Sequence, residues 1–430
     1  MKIGNTILSI KESLKGIKMN LSTGGIPKKP IKKLITFLKE IPDKRNQKQI
    51  VYPLYEIILT AFLAIMSGAE SIIDIADFAL VRQAWLEEHF RIKHGAPSHD
   101  TFRRVLSIVN SNMLQKATVS FLLDNIKVFK RAFHIDDDLT KQYCVDGKVS
   151  RGTGQLKDTE REIKQLQTLH VYDRTDGICI ESKAISDKTN EIPVAQEILR
   201  LMDLRGAIVS FDALNTQSAT VAAIVEQKGD YLAALKGNQP DFHNEVVSYF
   251  TAKRLRQIKE GGNNYFEVKE KKHNCIEVRK YYLTKNVSWL LQLETWKGLK
   301  SLIYYTLHTE NVNTGKTTTQ THYYFSSITD VITCADAIRG HWAIENDLHW
   351  HLDVTMHEDA AEIIDRIAAL NFSLLRKMSL SLLKLIAPIL KCSVRSSKKL
   401  VGWEADILLN AFRVLDEDIL TDALLNAKSK

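Results

Sequence analysis

The apolar periodicity of the chain changes near residue 140, and that change constrains the fold more than any other feature. Before it, Ile31–Ile41, Leu54–Met66, Ile72–Phe90 and Thr101–Val109 carry apolar residues at helical spacing. Pro97-Ser98-His99-Asp100 supplies a stop-and-cap signal ahead of Thr101. After residue 140, Tyr143-Cys144-Val145-Asp146-Gly147-Lys148 reads as a short strand ending in an acid. Gln167–Tyr172 and Ile178–Ile185 flank the hairpin turn Asp173-Arg174-Thr175-Asp176-Gly177. Ile192–Leu204, with Pro193 in its first turn, reads as a crossover helix. The runs Ala207–Phe211 and Tyr231–Leu235 then bracket a helix, Gln217–Lys228. Strands joined by crossover helices predict an α/β fold: a mixed sheet with flanking helices, preceded by an all-helical N-terminal domain.

The remaining boundaries follow from the same texture. Residues 1–30 hold six lysines and one acid and read as a basic flexible tail. The helical domain spans 31–135, and the first part of the sheet 140–240. Residues 241–330 break the rhythm: after a helix at Phe242–Phe250, the segments Tyr265–Val268, Cys275–Leu283, Leu302–Thr309 and Thr317–Ser326 alternate as strands do, which predicts a β-rich insertion. Residues 331–390 return to helix, with Ala361–Ile386 strongly amphipathic and ended by Pro388. A C-terminal helical segment, 391–430, closes the chain.

Charge and cysteine usage narrow the class. A formal net charge of +8 favours a polyanionic partner without identifying one. Five scattered cysteines with no CxxC exclude a zinc ribbon and a disulfide framework, and fit a reducing cytoplasm. The most apolar run, Leu54–Ala69, is shorter than the ~20 residues of a bilayer span and contains Glu56, so it reads as a buried helix and not as a membrane segment. Arg103 and Arg104 form either a solvated basic face or a phosphate contact on one of the N-terminal helices.

Three acids stand where chemistry would need them. Asp146 and Asp212 each follow an apolar strand, and sites in open α/β sheets form beyond the carboxyl ends of strands. The third, Glu345, belongs to a stretch, Arg339–Asp359, holding four histidines, two tryptophans and five carboxylates. Drawn as a helix at about 100° per residue, that stretch places Glu345 on the side of Leu348, Leu352 and Met356. Two aspartates and a glutamate make a hard oxygen cluster suited to Mg²⁺ or Mn²⁺ and to phosphodiester chemistry. Each acid has a plainer alternative. Asp146-Gly147 is also a hairpin-turn dipeptide, and Asp212 also suits a helix cap. Glu345 has a rival in Glu358-Asp359, and His341, Glu345, His349 and Asp353 at i, i+4 steps form another candidate metal stripe.

Several blocks together resemble one family. They are Val145-Asp146-Gly147-Lys148, Lys188-Thr189-Asn190-Glu191-Ile192-Pro193, Phe211-Asp212-Ala213, and Gly229-Asp230-Tyr231-Leu232 with Lys236-Gly237-Asn238-Gln239. The longest is Arg339-Gly340-His341-Trp342-Ala343-Ile344-Glu345-Asn346 with Leu348-His349-Trp350 and Leu352-Asp353-Val354. These resemble the H-repeat-associated family of bacterial insertion-sequence transposases, DDE-type enzymes with an RNase H-like core. The resemblance implies that Asp146, Asp212 and Glu345 are the catalytic and metal-holding triad, with Mg²⁺ or Mn²⁺ as cofactor. It also implies that Lys148, Lys236, Asn238, Arg339, His341 and Trp342, besides Arg103 and Arg104, are DNA-contact candidates. The implied partners are the terminal inverted repeats of an element and target DNA, bound by a homodimer or larger assembly in the cytoplasm. A nuclease without strand transfer and a non-catalytic DNA-binding remnant remain as alternatives. One departure stands out: family members carry arginines soon after the Glu-Asp pair, where this chain has Ala360-Ala361-Glu362-Ile363-Ile364-Asp365.

Overall fold

The structure, a computed structural model, describes residues 5–14, 26–135, 140–154, 164–272 and 274–428. Among the described residues seven α-helices precede the sheet: α1 (Thr6–Ser13), α2 (Lys28–Lys39), α3 (Leu54–Met66), α4 (Ile72–Val81), α5 (Gln83–Phe90), α6 (His99–Ile108) and α7 (Ser111–Ala132). The Ser98 hydroxyl accepts the Thr101 N–H, so the stop-and-cap signal acts where the sequence put it. Among the described residues no helix is long and apolar enough to cross a membrane.

Five strands form the first half of the sheet: β1 (Lys141–Ser150), β2 (Leu166–Asp173), β3 (Ile178–Ile185), β4 (Ala207–Phe211) and β5 (Asp230–Leu235). Their order is β3-β2-β1-β4-β5, with β2 antiparallel to both its neighbours and β1, β4 and β5 parallel. This is the RNase H-like mixed sheet. Crossover helices α8 (Glu191–Leu201) and α9 (Ser218–Glu226) cover one face. Side chains alternate along β4 as the pleat demands: Ala207, Val209 and Phe211 join the core under α8 and α9, and Ile208 joins the core on the opposite face.

The β-rich insertion is not a body of its own. After α10 (Pro240–Tyr249) and α11 (Ala252–Glu260) come β6 (Tyr265–Lys272), β7 (Cys275–Thr284), β8 (Ser301–Asn311) and β9 (Thr317–Ser326). β9 pairs antiparallel with β5, from Leu232↔Ser326 to Leu235↔Tyr323, so the nine strands of the described residues make one sheet. The open edge of β5 has unpaired backbone groups, and β9 satisfies them. The chain then returns as α12 (Val331–His341), packed on the face opposite α8 and α9.

The last helices are α13 (Arg366–Ile389), α14 (Val394–Trp403), α15 (Ala405–Arg413) and α16 (Glu417–Lys428). α13 begins after Asp365, which caps it by accepting the Ala368 N–H at 2.7 Å, and not at Ala361. Pro388 lies inside its last turn. The N-terminal helices and the C-terminal segment do not form separate cores: Ile10, Phe62, Phe102 and Phe121 share one apolar cluster with Phe372, Leu383, Phe412 and Leu420. The segment expected as a basic tail contributes to it. Asn5 caps α1, Ile10 is buried, and Thr6 Oγ1 donates to Asp176 Oδ1 at 2.9 Å. Residues 1–4 and 15–25 of that segment lie outside the described residues.

One buried charge cluster locks α13 to the sheet. Glu358 is 2% exposed; its Oε1 accepts from the Ser373 hydroxyl at 2.5 Å, and Ser373 in turn accepts from Lys377 Nζ at 2.6 Å. From β1, Lys148 Nζ lies 3.5 Å from Glu358 Oε2. Burial opposes ionisation of Glu358, but Lys377, Lys148, Arg376 and the Ser373 hydroxyl outweigh it and hold the carboxyl below its usual range. Glu358→Ala would leave buried cations uncompensated, so it should cost about 3–5 kcal/mol, read as a lower midpoint of urea unfolding. Because the folded-state pKa of Glu358 is depressed, its contribution is present above the unfolded value of about 4.3 and fades as pH falls through the folded value. The gap between wild type and the alanine variant should therefore shrink in acid.

Candidate active site

The strand register brings two acids together. β1 and β4 run parallel, and their last pair is Val145↔Phe211, so Asp146 and Asp212 emerge side by side where that pairing stops. Asp146 does not end its strand, as the sequence suggested, and it is not in a hairpin turn. β1 continues to Ser150 against β2, with Asp146 opposite His170. Each aspartate is fixed by one oxygen. The Gly147 N–H donates to Asp146 Oδ1 at 2.9 Å. The Asn215 backbone N–H and its Nδ2 donate to Asp212 Oδ1 at 3.1 and 3.2 Å. Asp212 thus holds the loop ahead of α9 with one oxygen while the other stays available.

Glu345 is delivered from the opposite face. α12 is docked by the fully buried Gln142 of β1, whose Nε2 donates to Ser210 Oγ (2.9 Å) and Ala337 O (2.8 Å) and whose Oε1 accepts from Arg174 (2.9 Å). Gly340 is required there, since a Cβ would fall 2.2 Å from Gln142 Oε1. Beyond His341 the backbone winds as wide π turns, Ile344–His349 and His351–Thr355. Wide turns of this kind recur at functional sites. The winding corrects the α-helical expectation for Glu345. Ile344, Leu348 and Leu352 are buried in a row, and Glu345, one step round, is exposed and does not lie among them.

The acids sense one another. Burial first, then the Asp212 charge, push the Asp146 carboxyl up to about 7; Glu345 and Glu191 add to the effect and the Gly147 N–H opposes it. Glu345 is raised by partial burial and by Asp212, with Lys236 opposing. Glu191 is also raised, by burial and by Asp212, against the Asn215 hydrogen bond. Sequence reasoning singled out the block containing Glu191 but gave this acid no role. Its signal was its place in the first turn of a crossover helix, capped by Asn190 beside the acid-bearing strands. As a donor set these oxygens fit a hard divalent cation, whose charge would relieve their repulsion. Among the described residues, no three His, Cys, Asp or Glu side chains already converge to hold an ion.

The histidine stripe does not form a site. His341 Nδ1 meets Ser210 Oγ at 3.1 Å, and Asp353 pairs with Lys148 at 2.6 Å. His349 lies 3.0 Å from His170 and 3.6 Å from Asp146 Oδ2. Burial lowers His341 to about 4 and His349 to about 3, so both are neutral at pH 7. The rival acids also fall away: Glu358 is an internal counter-ion, and Asp359 pairs with Lys148 at 3.4 Å.

The DNA-contact candidates separate. Lys148 is buried and bound to Asp353, Glu358 and Asp359, so it is not free to reach a phosphate. Lys236 and Asn238 are exposed just after β5, with Asn238 Nδ2 donating to Ala213 O at 2.5 Å. Arg339 is exposed but paired with Glu270 at 2.7 Å, and Trp342 is 49% exposed. On α6, both Arg103 and Arg104 are exposed and bonded to Asp100.

Comparison with known proteins follows this geometry. The family model described as "Transposase DDE domain" matches residues 138–382, and that described as "DDE_Tnp_1-associated" matches residues 35–122. "Putative protein YbfL" of Escherichia coli K12 is 30% identical over 357 residues, covering 82% of this chain and 90% of that protein. "H repeat-associated putative transposase YhhI" of the same strain is 29% identical over the same shares. "Putative transposase YncI" of Escherichia coli O157:H7 is 29% identical, covering 82% and 88%.

The raised Asp146 pKa fixes a sign. A carboxyl whose folded-state pKa lies above its unfolded value of about 3.9 favours folding while protonated, and its charge opposes folding as pH rises through about 7. Asp146→Asn should therefore stabilise the metal-free protein at pH 8, by an amount on the order of a few kcal/mol. The gain should shrink toward pH 5, as thermal unfolding at the two pH values would show.

Proposed function

The chain belongs to the DDE transposase family, and from that premise we propose that it is the transposase of an insertion sequence, cleaving the ends of its element and joining them to target DNA. The observation that carries this reading is the register of β1 and β4. It sets Asp146 and Asp212 side by side, and Glu345, coming from the far side of the insertion, lies near enough to raise the Asp146 pKa.

In the first step water attacks a phosphorus at the element's end, the P–O3′ bond breaks, and the 3′-hydroxyl takes the proton. In the second, that 3′-hydroxyl attacks a phosphorus of the target, forming a new P–O3′ bond and releasing a target 3′-hydroxyl. Mg²⁺ or Mn²⁺, held by Asp146, Asp212 and Glu345, would activate the attacking oxygen and stabilise the leaving one. The protein's own part is positioning. The Gly147 N–H and the Asn215 amide fix one oxygen of each aspartate and leave the other available. Fully buried His170 and partly buried His349, the latter 3.6 Å from Asp146 Oδ2, pack behind Asp146 and stay neutral. Lys236, exposed beside Glu345, is the cation best placed for a DNA phosphate. Joining two ends at once calls for at least two copies of the chain.

Purified protein with Mg²⁺ and DNA carrying the element's terminal inverted repeats should give both cleaved ends and strand-transfer product. Asp146→Asn, Asp212→Asn and Glu345→Gln should each lower cleavage by roughly a hundredfold or more. Cleavage unaffected in the aspartate variants would remove the assignment. Hydrolysis without joined product would point to a nuclease, and salt-dependent binding without cleavage to a remnant.

A further inference from the structure

Glu191 has a setting that its position on a helix does not require. Its carboxylate lies over the backbone of β1, where a Cβ on Gly147 would fall 1.9 Å from Glu191 Oε1. The glycine next to Asp146 is thus what lets this carboxylate approach. Its other oxygen, Oε2, accepts from Asn215 Nδ2 at 3.3 Å, and the same Nδ2 donates to Asp212 Oδ1 at 3.2 Å. One buried amide therefore bridges two carboxylates.

Asn215 is fully buried, and among the described residues its Oδ1 has no hydrogen-bond partner. A buried, unpartnered carbonyl costs about 1–3 kcal/mol. Turning the amide over would set that oxygen against two carboxylates, which is worse. The amide orientation is thus dictated by the acids, and the orphaned oxygen is the consequence of keeping Glu191 beside Asp212.

Charge adds a second argument. Asp146, Asp212 and Glu345 carry three negative charges between them, against four positive charges on a pair of divalent cations. Lys148 is already committed to Asp353, Glu358 and Asp359. Lys236 acts on Glu345 from the rim. A fourth carboxylate balances the pair.

We propose that Glu191 is the fourth acid of the site, held beside Asp212 by Asn215 and over Gly147, and that its charge sets the site's affinity for divalent cations. This rests on reading Asp146, Asp212 and Glu345 as the cation-holding acids, and the test separates the two.

The readout is Mn²⁺ binding to the full chain without DNA, followed by the electron paramagnetic resonance signal of free Mn²⁺. Glu191→Gln keeps the shape and an acceptor for Asn215 but removes the charge. It should weaken Mn²⁺ binding roughly tenfold or more, with a melting temperature in EDTA no lower than that of the wild type, since the carboxylate it removes is held above its ordinary pKa by burial and Asp212. Glu191→Asp, which keeps the charge, should lose less than the glutamine variant. Wild-type Mn²⁺ affinity in Glu191→Gln overturns the proposal, as does failure of both variants to fold, since Glu191 would then be a structural residue. Asp212→Asn is the control. If it too binds Mn²⁺ as wild type does, the fault lies with the reading of the triad; if it loses binding while Glu191→Gln does not, only the role of Glu191 falls.

Discussion

Burying α13 imposes the constraint from which the rest of the structure follows. The helix is covered along nearly its whole length, yet it carries Arg376, Lys377 and Lys384 into the interior. A buried cation is tolerated only with a partner. Lys377 reaches Ser373 and Ser182, Lys384 reaches the Tyr172 hydroxyl, and Arg376 donates to Glu70 O. Glu358 supplies the negative charge at the centre and also engages Lys148 of β1. Lys148 lies two residues from Asp146 on the same face of that strand, so the cluster that holds the helical half against the sheet also sets the strand that presents the first acid.

The candidate site works against this background. Carboxylates are brought close enough to raise one another's pKa, which destabilises the metal-free fold. The chain concentrates that strain at one edge, where β1 and β4 part, and supports it with backbone N–H groups and one asparagine amide. Close approaches at Gly147 and Gly340 make room for the pieces that meet there. Removing charge at such a place trades function for stability, the expected relation for a preorganised site.

Much of the architecture was legible in the chain. Periodicity located α2, α3 and α6, the Asp173–Gly177 turn, the strand carrying Asp146 and the strand before Asp212 within a few residues, but it joined α4 and α5 into one helix and singled out neither α1 nor α7. It failed where pairing or winding decided the outcome. Asp146 looked terminal because Gly147 follows it, but β2 pairs on to Ser150. Glu345 looked buried because an α-helical wheel put it beside Leu348, and the π winding turned it out. Lys148 looked like a phosphate ligand because no local signal reveals three acids supplied from beyond residue 350. The insertion looked separate because its link to β5 is a pairing between strands far apart in sequence.

What the amino-acid sequence determined by itself was the alternation of elements and a short set of candidate acids, since both rest on local patterns of side chains. It also carried the family resemblance, through blocks such as those around Asp146 and Glu345. Only the tertiary structure decided which carboxylates meet. Glu358 and Glu345 are thirteen positions apart in the chain and equally acidic, yet one is enclosed by Lys148, Lys377 and Arg376 while the other faces Asp212. The role of Glu191 likewise depends on Gly147 and Asn215, brought to it by strand register and by α8 crossing the sheet. A carboxylate's charge state and partners are set by what surrounds it in space, and that is fixed by long-range packing.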